Sequence, residues 1–281
     1  MATGVSSVRS NVRVGRGIHI VAVIAGGAFL ALPLFYLLSM SLMTGTDVRA
    51  FPPNLIPPQI RLQNYPEAVD FLAVRTIFNS VFFSASVVFI QVVLAMSAGF
   101  ALAKLRFRGG TALTLVFAAS LFIPGPITLV PTYVITRELD LVNTYAGLIL
   151  PIAAQTGFGT LLFRQFFINL PDELLSAARV DGANWFQVFT RIAMPLTGPA
   201  TAAFCAVTFL TAWNLYVWPL VVATSTDLRV LPLALAPLAG SSFVPLNVAM
   251  AAVMISTIPV LIVFIIAQRA FIRGLSGTGL D

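Results

Sequence analysis

Very few residues of this 281-residue chain could carry out catalysis or bind a metal ion. The chain has one histidine and one cysteine, His19 and Cys205, and all ten carboxylates lie outside its long apolar runs. Acid–base catalysis, nucleophilic catalysis and metal binding need His, Cys, Asp or Glu side chains gathered in one place. The phosphate-binding pattern G-x-x-x-x-G-K-[ST] is also missing. The sequence therefore predicts no catalytic residue, no metal site and no nucleotide-binding loop.

The composition explains why so few side chains could act in catalysis or bind a metal ion. Hydrophobic residues make up 58% of the chain and charged residues only 9%, and the mean hydropathy is +0.96. A soluble domain normally has about 25% charged residues. This composition excludes a soluble enzyme, a nucleic-acid-binding protein and a disordered protein, and it indicates a protein that lies in a lipid bilayer.

Six apolar runs are long enough to cross a membrane as helices, which takes about 20 residues each. They contain no Asp, Glu, Lys or Arg and cover residues 18–43, 76–103, 111–135, 145–163, 197–222 and 246–268. The sequence thus predicts an all-α membrane protein with six transmembrane helices. Residues 1–17 form an N-terminal segment, 18–270 the membrane domain and 271–281 a tail. His19 is interpreted as an interfacial residue at the start of the first span.

The few charges predict the orientation. If the N-terminus is cytoplasmic, the inner segments contain eleven Lys or Arg and four Asp or Glu, whereas the outer segments contain five and six. The inner balance of +7 and the outer balance of −1 together give the net charge of +6. Because cytoplasmic loops are enriched in Lys and Arg, we expect both termini to be cytoplasmic.

The longest inner segment, between the fourth and fifth spans, predicts two short helices joined by a turn. Gly182 can adopt the left-handed conformation that ends a helix. Asn184, followed three residues later by Gln187, fits a capping box that opens the second helix. One face of the first helix, by its spacing of three and four residues, consists of Leu174, Ala177, Ala178 and Asp181. The small alanines would let another protein approach the backbone closely.

This segment resembles the EAA loop of ABC-importer permeases, whose pattern is E-A-A, three residues, G, nine residues, I-x-L-P. The matching residues are Ser176-Ala177-Ala178, Gly182 and Ile192-Ala193-Met194-Pro195. Ser176 replaces the glutamate and Met194 the leucine, while Glu173 matches an acid often seen in the carbohydrate branch. Further similarities run along nearly the whole chain, at Asn79-Ser80, 98–101, Ile123-Pro124-Gly125, 213–220 and 268–275. The chain is most similar to the second permease subunit of maltose- and glycerol-3-phosphate-type importers.

The resemblance implies a type I importer permease that forms half of the translocation pathway for a sugar, oligosaccharide or glycerol-phosphate-type solute. Its loop at about 169–195 would contain the coupling helix that docks in a cleft of a cytoplasmic ATPase. The implied coupling residues are Glu173, Ser176, Ala177, Ala178, Asp181, Gly182 and Ala183.

The implied partners are a second permease subunit in a heterodimer, two ATPase copies, an extracytoplasmic solute-binding protein and the lipid bilayer, without nucleic acid. ATP and Mg²⁺ would bind in the partner ATPase, and this chain would bind no cofactor. The importer would lie in a bacterial or archaeal cytoplasmic membrane.

Aromatic and amide side chains within the spans are the candidates for a substrate pathway. Rings can stack on the C–H faces of a sugar and amides can bind its hydroxyls. The candidates are Trp213, Asn214, Tyr216, Gln91 and Gln155. Aromatic residues at a membrane interface and amides that bond neighbouring helices give the same pattern. Prolines in the third span, including Pro124 and Pro126, fit equally a gate or a simple kink.

Two other classes of membrane protein remain open from the residues. A secondary carrier driven by an ion gradient commonly has ionisable groups at membrane depth. The six predicted spans have no acidic or basic side chain, which weakens that interpretation. A channel or membrane scaffold without an ATPase is the second alternative.

Overall fold

The computed structural model describes residues 5–238 and 244–276, with side chains for 21–238 and 244–268. All regular elements in these residues are helices, which confirms the predicted all-α class. Two compact units are present: the described parts of Met1–Phe71 with Ser241–Ile255, and of Leu72–Gly240 with Ser256–Asp281. The His19 side chain lies outside the described residues, as does the end of the predicted tail beyond Ser276.

The first unit contains helix α1 (Val5–Ser41), a 3-10 turn (Asp47–Arg49), most of α2 (Asn64–Leu72) and the first turns of the last helix, α14 (Leu246–Ser276). Its polar centre is Asn64, which is fully buried. The Asn64 amide donates to the carbonyls of Ser41 and Met43 at 2.9 and 2.8 Å, and its Oδ1 accepts from Asn247 at 2.7 Å. This one side chain ties together the end of α1, the start of α2 and the start of α14.

The second unit contains the remaining helices and the rest of α14. They are α3 (Val74–Lys104), α4 (Gly110–Ser120), α5 (Gly125–Glu138), α6 (Tyr145–Ala153), α7 (Gly157–Ile168), α8 (Asp172–Val180), α9 (Trp185–Val188), α10 (Met194–Leu196), α11 (Gly198–Trp213), α12 (Val217–Val222) and α13 (Leu231–Leu235). A π-helical turn, Phe189–Ala193, joins α9 to α10. Two further 3-10 turns cover Thr226–Leu228 and Ala236–Leu238.

The described residues contain three single helices and three bent helix pairs of membrane-crossing length, and the third pair begins before the predicted run 197–222 because it includes Trp185–Leu196. Val21–Ser41, Val74–Lys104 and Leu246–Gln268 are each long and apolar enough to cross a membrane. The pairs bend by 105° between α4 and α5, by 45° between α6 and α7, and by 77° where Trp185–Leu196 meets α11. Counting each bent pair as one span gives up to six crossings by length and composition.

Three of the runs are interrupted in the structure, and in the third run the interruption lies at the prolines that the sequence marked. In the run 111–135, α4 ends at Ser120 and Pro124 stands in an extended conformation before α5, because a proline disfavours a helical residue before it and has no N–H to donate. In the run 197–222, α11 ends at Trp213. Pro219 cannot bond the carbonyl of Leu215, so α12 begins separately at Val217. The run 145–163 breaks at Ala154–Thr156.

Helix α3 is the centre of the second unit and packs against α6, α7 and α11. A Cβ at Gly99 would lie only 2.8 Å from the backbone nitrogen of Arg164 and 2.8 Å from the Cβ of Phe163. A Cβ at Gly159 would lie 2.8 Å from that of Ala95. Small residues at membrane-helix contacts allow backbones to approach this closely. The position of α7 is thus directly set by α3.

Candidate functional site

The segment from Asn169 to Pro195, which we call the elbow, contains the turn that the sequence predicts. Gly182 follows α8 with a φ of +86°. Its N–H donates to the carbonyl of Arg179 at 3.1 Å, and the N–H of Ala183 donates to that of Ala178 at 3.0 Å. These two bonds are the Schellman pattern, which satisfies carbonyls at a helix end. The predicted left-handed glycine is therefore confirmed.

Side chains close the other half of the turn. The Asn184 Oδ1 accepts from the N–H of Gln187 at 2.8 Å, and the Gln187 Oε1 accepts from the N–H of Asn184 at 2.9 Å, which confirms the predicted capping box. Arg179 donates through Nη1 to the carbonyl of Ala183 at 2.7 Å. Its guanidinium also lies 5.2 Å from the centre of the Trp185 ring, a cation–π distance. The turn is thus held by backbone and side-chain bonds at once.

Lys104, the last residue of α3, anchors the start of the elbow. Its Nζ donates to the Asp172 carboxylate at 2.6 Å and to the carbonyl of Leu170 at 2.8 Å. The lysine side chain is 8% exposed and the aspartate side chain 82%. The hydrogen bond and charge of Lys104, with a smaller contribution from Arg106, lower the pKa of Asp172. An ionised Asp172 also stabilises the N-terminal end of α8.

Aromatic packing fixes the second half of the elbow on the same helix. The ring of Phe100 on α3 lies 5.4 Å from Phe167, 6.3 Å from Trp185 and 5.1 Å from Phe189, centre to centre. Leu175 faces this cluster and is buried. Both halves of the elbow therefore contact the C-terminal end of α3.

Most of the predicted coupling residues are exposed on the surface of the elbow. Five of them are exposed: Glu173, Ser176, Ala177, Asp181 and Gly182. Ala178 and Ala183 are half-buried and pack against the aromatic cluster. The sequence reasoning missed Val180 and Phe186, whose side chains are 88% and 73% exposed. Apolar residues in an otherwise polar cytoplasmic segment were the signal that could have identified them.

Two of the predicted pathway residues are used in helix packing. Trp213 is buried, stacks on Phe209 at 5.4 Å and donates to the carbonyl of Ser256 at 3.2 Å. Gln91 is buried and donates to the carbonyl of Ile152 at 2.8 Å. These contacts favour the alternative of hydrogen bonding between helices for both residues.

The other three pathway candidates are exposed but do not come together. Asn214 donates back to the carbonyl of Leu210 at 2.8 Å and so bonds the end of its own helix. Tyr216 is 39% exposed. Gln155 lines a cavity of about 620 Å³ at the α4–α5 and α6–α7 breaks. We call this the membrane cavity; its other polar side chains are Ser120, Thr128, Thr132 and Thr156. No charged side chain of the described residues lines it.

Sequence comparisons place these features in a known context. Residues 28–277 match the family model described as binding-protein-dependent transport system inner membrane component. The sn-glycerol-3-phosphate transport system permease protein UgpE of Agrobacterium fabrum is 30% identical over 275 residues, 94% of this chain and 97% of the relative. The arabinooligosaccharides transport system permease protein AraQ of Halalkalibacterium halodurans is 37% identical over 201 residues, 72% of each chain.

A solved structure has the same fold over most of the chain. It is a chain of a bacterial ABC transporter involved in the import of the acidic polysaccharide alginate, with a TM-score of 0.79 and 26% sequence identity. The match covers 92% of this chain and 98% of that chain.

Proposed function

The chain belongs to the family of binding-protein-dependent transport system inner membrane components and is a permease subunit of an ABC importer, and on that premise we propose that its elbow receives the movement of a cytoplasmic ATPase. The contact would involve the exposed residues of α8 and the Gly182 turn. A second permease subunit would complete the pathway, two ATPase copies would bind below it, and a solute-binding protein would deliver the solute from outside. The membrane would be the cytoplasmic membrane of a bacterium.

The observation that carries the proposal is the double attachment of the elbow to α3. Lys104 holds its first half through Asp172, and Phe100 packs on its second half through Trp185 and Phe189. Because backbone and side-chain hydrogen bonds hold the turn between the two halves, a force on α8 would move the elbow as one body. α3 packs in turn on α6, α7 and α11, so the movement reaches the bent spans.

ATP hydrolysis is assigned to the partner ATPase, where ATP and Mg²⁺ would bind. This chain has no phosphate-binding loop, so its part in transport is mechanical.

The solute is proposed to be a sugar, an oligosaccharide or a glycerol-phosphate-type molecule, in line with the substrates in the relatives' names. The membrane cavity supports the polyhydroxylated part of this class. Its hydroxyl and amide side chains can donate to and accept from sugar hydroxyls. At about 620 Å³ it lies within the usual range of about 300–1,000 Å³ for small-molecule sites.

Replacing Gly182 tests the coupling role. A Cβ at this position meets nothing within 4 Å, but the φ of +86° strains any side chain. Valine is the most strained type here, at a cost of about 1–2 kcal/mol, whereas asparagine tolerates the left-handed region. We expect Gly182→Val to insert in the membrane normally yet to hydrolyse ATP without transport in proteoliposomes. Gly182→Asn should keep most of the coupling.

Transport at the wild-type rate by Gly182→Val would contradict the coupling role. If the valine and asparagine variants lost coupling equally, the backbone conformation would not be the cause. Membrane insertion, measured from the amount of protein extracted from the membrane fraction, separates loss of coupling from loss of the protein.

A further inference from the structure

A pocket of about 590 Å³ opens beside α8, next to the elbow turn. We call it the basic pocket. Its charged side chains are Lys104, Arg106, Asp172 and Arg179, and Ser176 and Trp185 stand beside them. Three cations and one carboxylate meet here, an unusual local excess in a chain with 9% charged residues.

Among the side chains that the structure describes, Lys104 is the one of these three cations that forms an ion pair. Asp172 pairs with Lys104 at 2.6 Å. Arg179 donates to the backbone carbonyl of Ala183 and lies over the Trp185 ring, without a carboxylate partner. Arg106 is exposed and forms no ion pair among the residues that the structure describes. Arg106 also contributes to the lowered pKa of Asp172, so one carboxylate serves three cations and positive charge remains in excess in the pocket.

Ser176 lines this pocket at the position where the EAA pattern has glutamate. A glutamate would place a carboxylate of the chain itself beside Arg106 and Arg179. Serine supplies a neutral hydroxyl instead, and in the described part of the chain this exposed hydroxyl has no hydrogen-bond partner. With serine at this position, Asp172 is the one carboxylate among the residues that line the pocket.

We propose that the basic pocket receives an acidic side chain of the cytoplasmic ATPase, whose carboxylate pairs with Arg106 and Arg179 and accepts from the Ser176 hydroxyl. The proposal rests on the proposed coupling function and adds which chemical group the partner presents. Guanidinium groups bind carboxylates with two parallel hydrogen bonds, which fixes the orientation of the partner. Complementary charge across an interface also selects the partner, because like charges placed together are strongly unfavourable.

Photo-cross-linking tests the location. Ser176→Cys in a Cys205→Ser background would be labelled with benzophenone maleimide in the assembled importer. We expect cross-links to the ATPase, in a peptide with a surface Asp or Glu. Absence of any cross-link to the ATPase would contradict the coupling function itself. A cross-linked ATPase surface without an acidic residue would leave coupling in place and overturn the pocket assignment.

Charge variants at Ser176 test the chemistry. Ser176→Glu and Ser176→Gln have side chains of the same size and differ by one negative charge. We expect transport-coupled ATP hydrolysis in proteoliposomes to be about tenfold lower for the glutamate than for the glutamine variant, because the new carboxylate repels the partner's. Equal rates, or a higher rate for Ser176→Glu, would show that this position takes the usual acidic residue and would overturn the proposal.

Arg108 is the control position for Arg106, because it is exposed on the same loop but lies outside the pocket. Arg106→Glu should lower coupling about tenfold, and Arg108→Glu should leave it unchanged. Replacing the cross-linked acid of the ATPase with arginine should restore coupling to Ser176→Glu. A failure of this rescue, or an equal loss from Arg108→Glu, would count against a specific carboxylate in the pocket.

Discussion

The elbow and the membrane cavity both form where helices are interrupted, but they differ in what satisfies the freed backbone groups. At the elbow, Asn184, Gln187 and Arg179 bond the ends of the two helices. At the cavity, α5 begins after Pro124 and α7 after Thr156, and neither helix has a side-chain cap. The bonded turn of the elbow suits the transmission of force. A helix start without a side-chain cap leaves N–H groups available to a solute.

Removal of the elbow's anchor should give the largest effect. Lys104→Met keeps the apolar stem but leaves the Leu170 carbonyl and the Asp172 carboxylate without their donor. The loss of these bonds should weaken the docking of the elbow on α3 by about 1–2 kcal/mol. We expect transport to fall about tenfold while ATP hydrolysis continues, measured together in proteoliposomes.

The control for this variant is Arg108→Met, which removes an exposed cation of the same loop. If both variants lost transport equally, charge in the loop and not the anchor would be responsible. The elbow would then be no more rigidly attached than the cavity helices.

A change in the cavity should give a smaller and different effect. Gln155→Leu removes an exposed amide at the break between α6 and α7. One lost hydrogen bond to solute is worth about 1 kcal/mol, or about a fivefold rise in the KM of transport. The ratio of ATP hydrolysed to solute moved should stay the same, because the elbow is untouched.

Gln91→Leu is the comparison variant for the cavity. Gln91 is buried and bonds Ile152 across helices, so its loss should reduce thermal stability more than it changes the KM. If Gln91→Leu changed the KM and Gln155→Leu did not, the solute path would lie along α3 instead.

The smallest expected effect concerns pH. Lys104 lowers the pKa of Asp172 below its ordinary value of 3.8. A lowered carboxyl pKa stabilises the paired state above the ordinary value, and this contribution is lost only as pH falls through the lowered pKa. The ratio of transport by the wild type to that by Asp172→Asn should therefore stay constant from about pH 8 to about pH 5. A midpoint in that ratio between these values would mean that another group controls the anchor.

The elbow was the most predictable part of the molecule because its determinants are local. The left-handed Gly182 and the capping box follow from residues within a few positions of one another, whereas Ala178 of the predicted α8 face packs against the aromatic cluster. The anchor was not predictable in this way, since Lys104 lies 68 residues before Asp172. A lysine at the end of a span could bond many different groups, and only the packing of α3 brings Lys104 to Asp172 and to the carbonyl of Leu170.

In the spans, too, some features were predictable from the sequence and others depended on packing. Apolar runs and the placement of charges predicted six crossings, and the prolines of the third span correctly marked an interruption. The break at Ala154–Thr156 carried no comparable signal. Trp213 and Gln91 were pathway candidates by residue type, but burial and cross-helix bonds placed them in the packing.

By itself the sequence determined the apolar spans and the local shape of the elbow, because hydropathy and helix capping depend on near neighbours along the chain. Only the tertiary structure decided which helix the elbow contacts and which polar groups line the cavity. Those outcomes depend on close approaches between distant residues, such as Gly99 against Arg164, and no local pattern encodes the partner of such a contact.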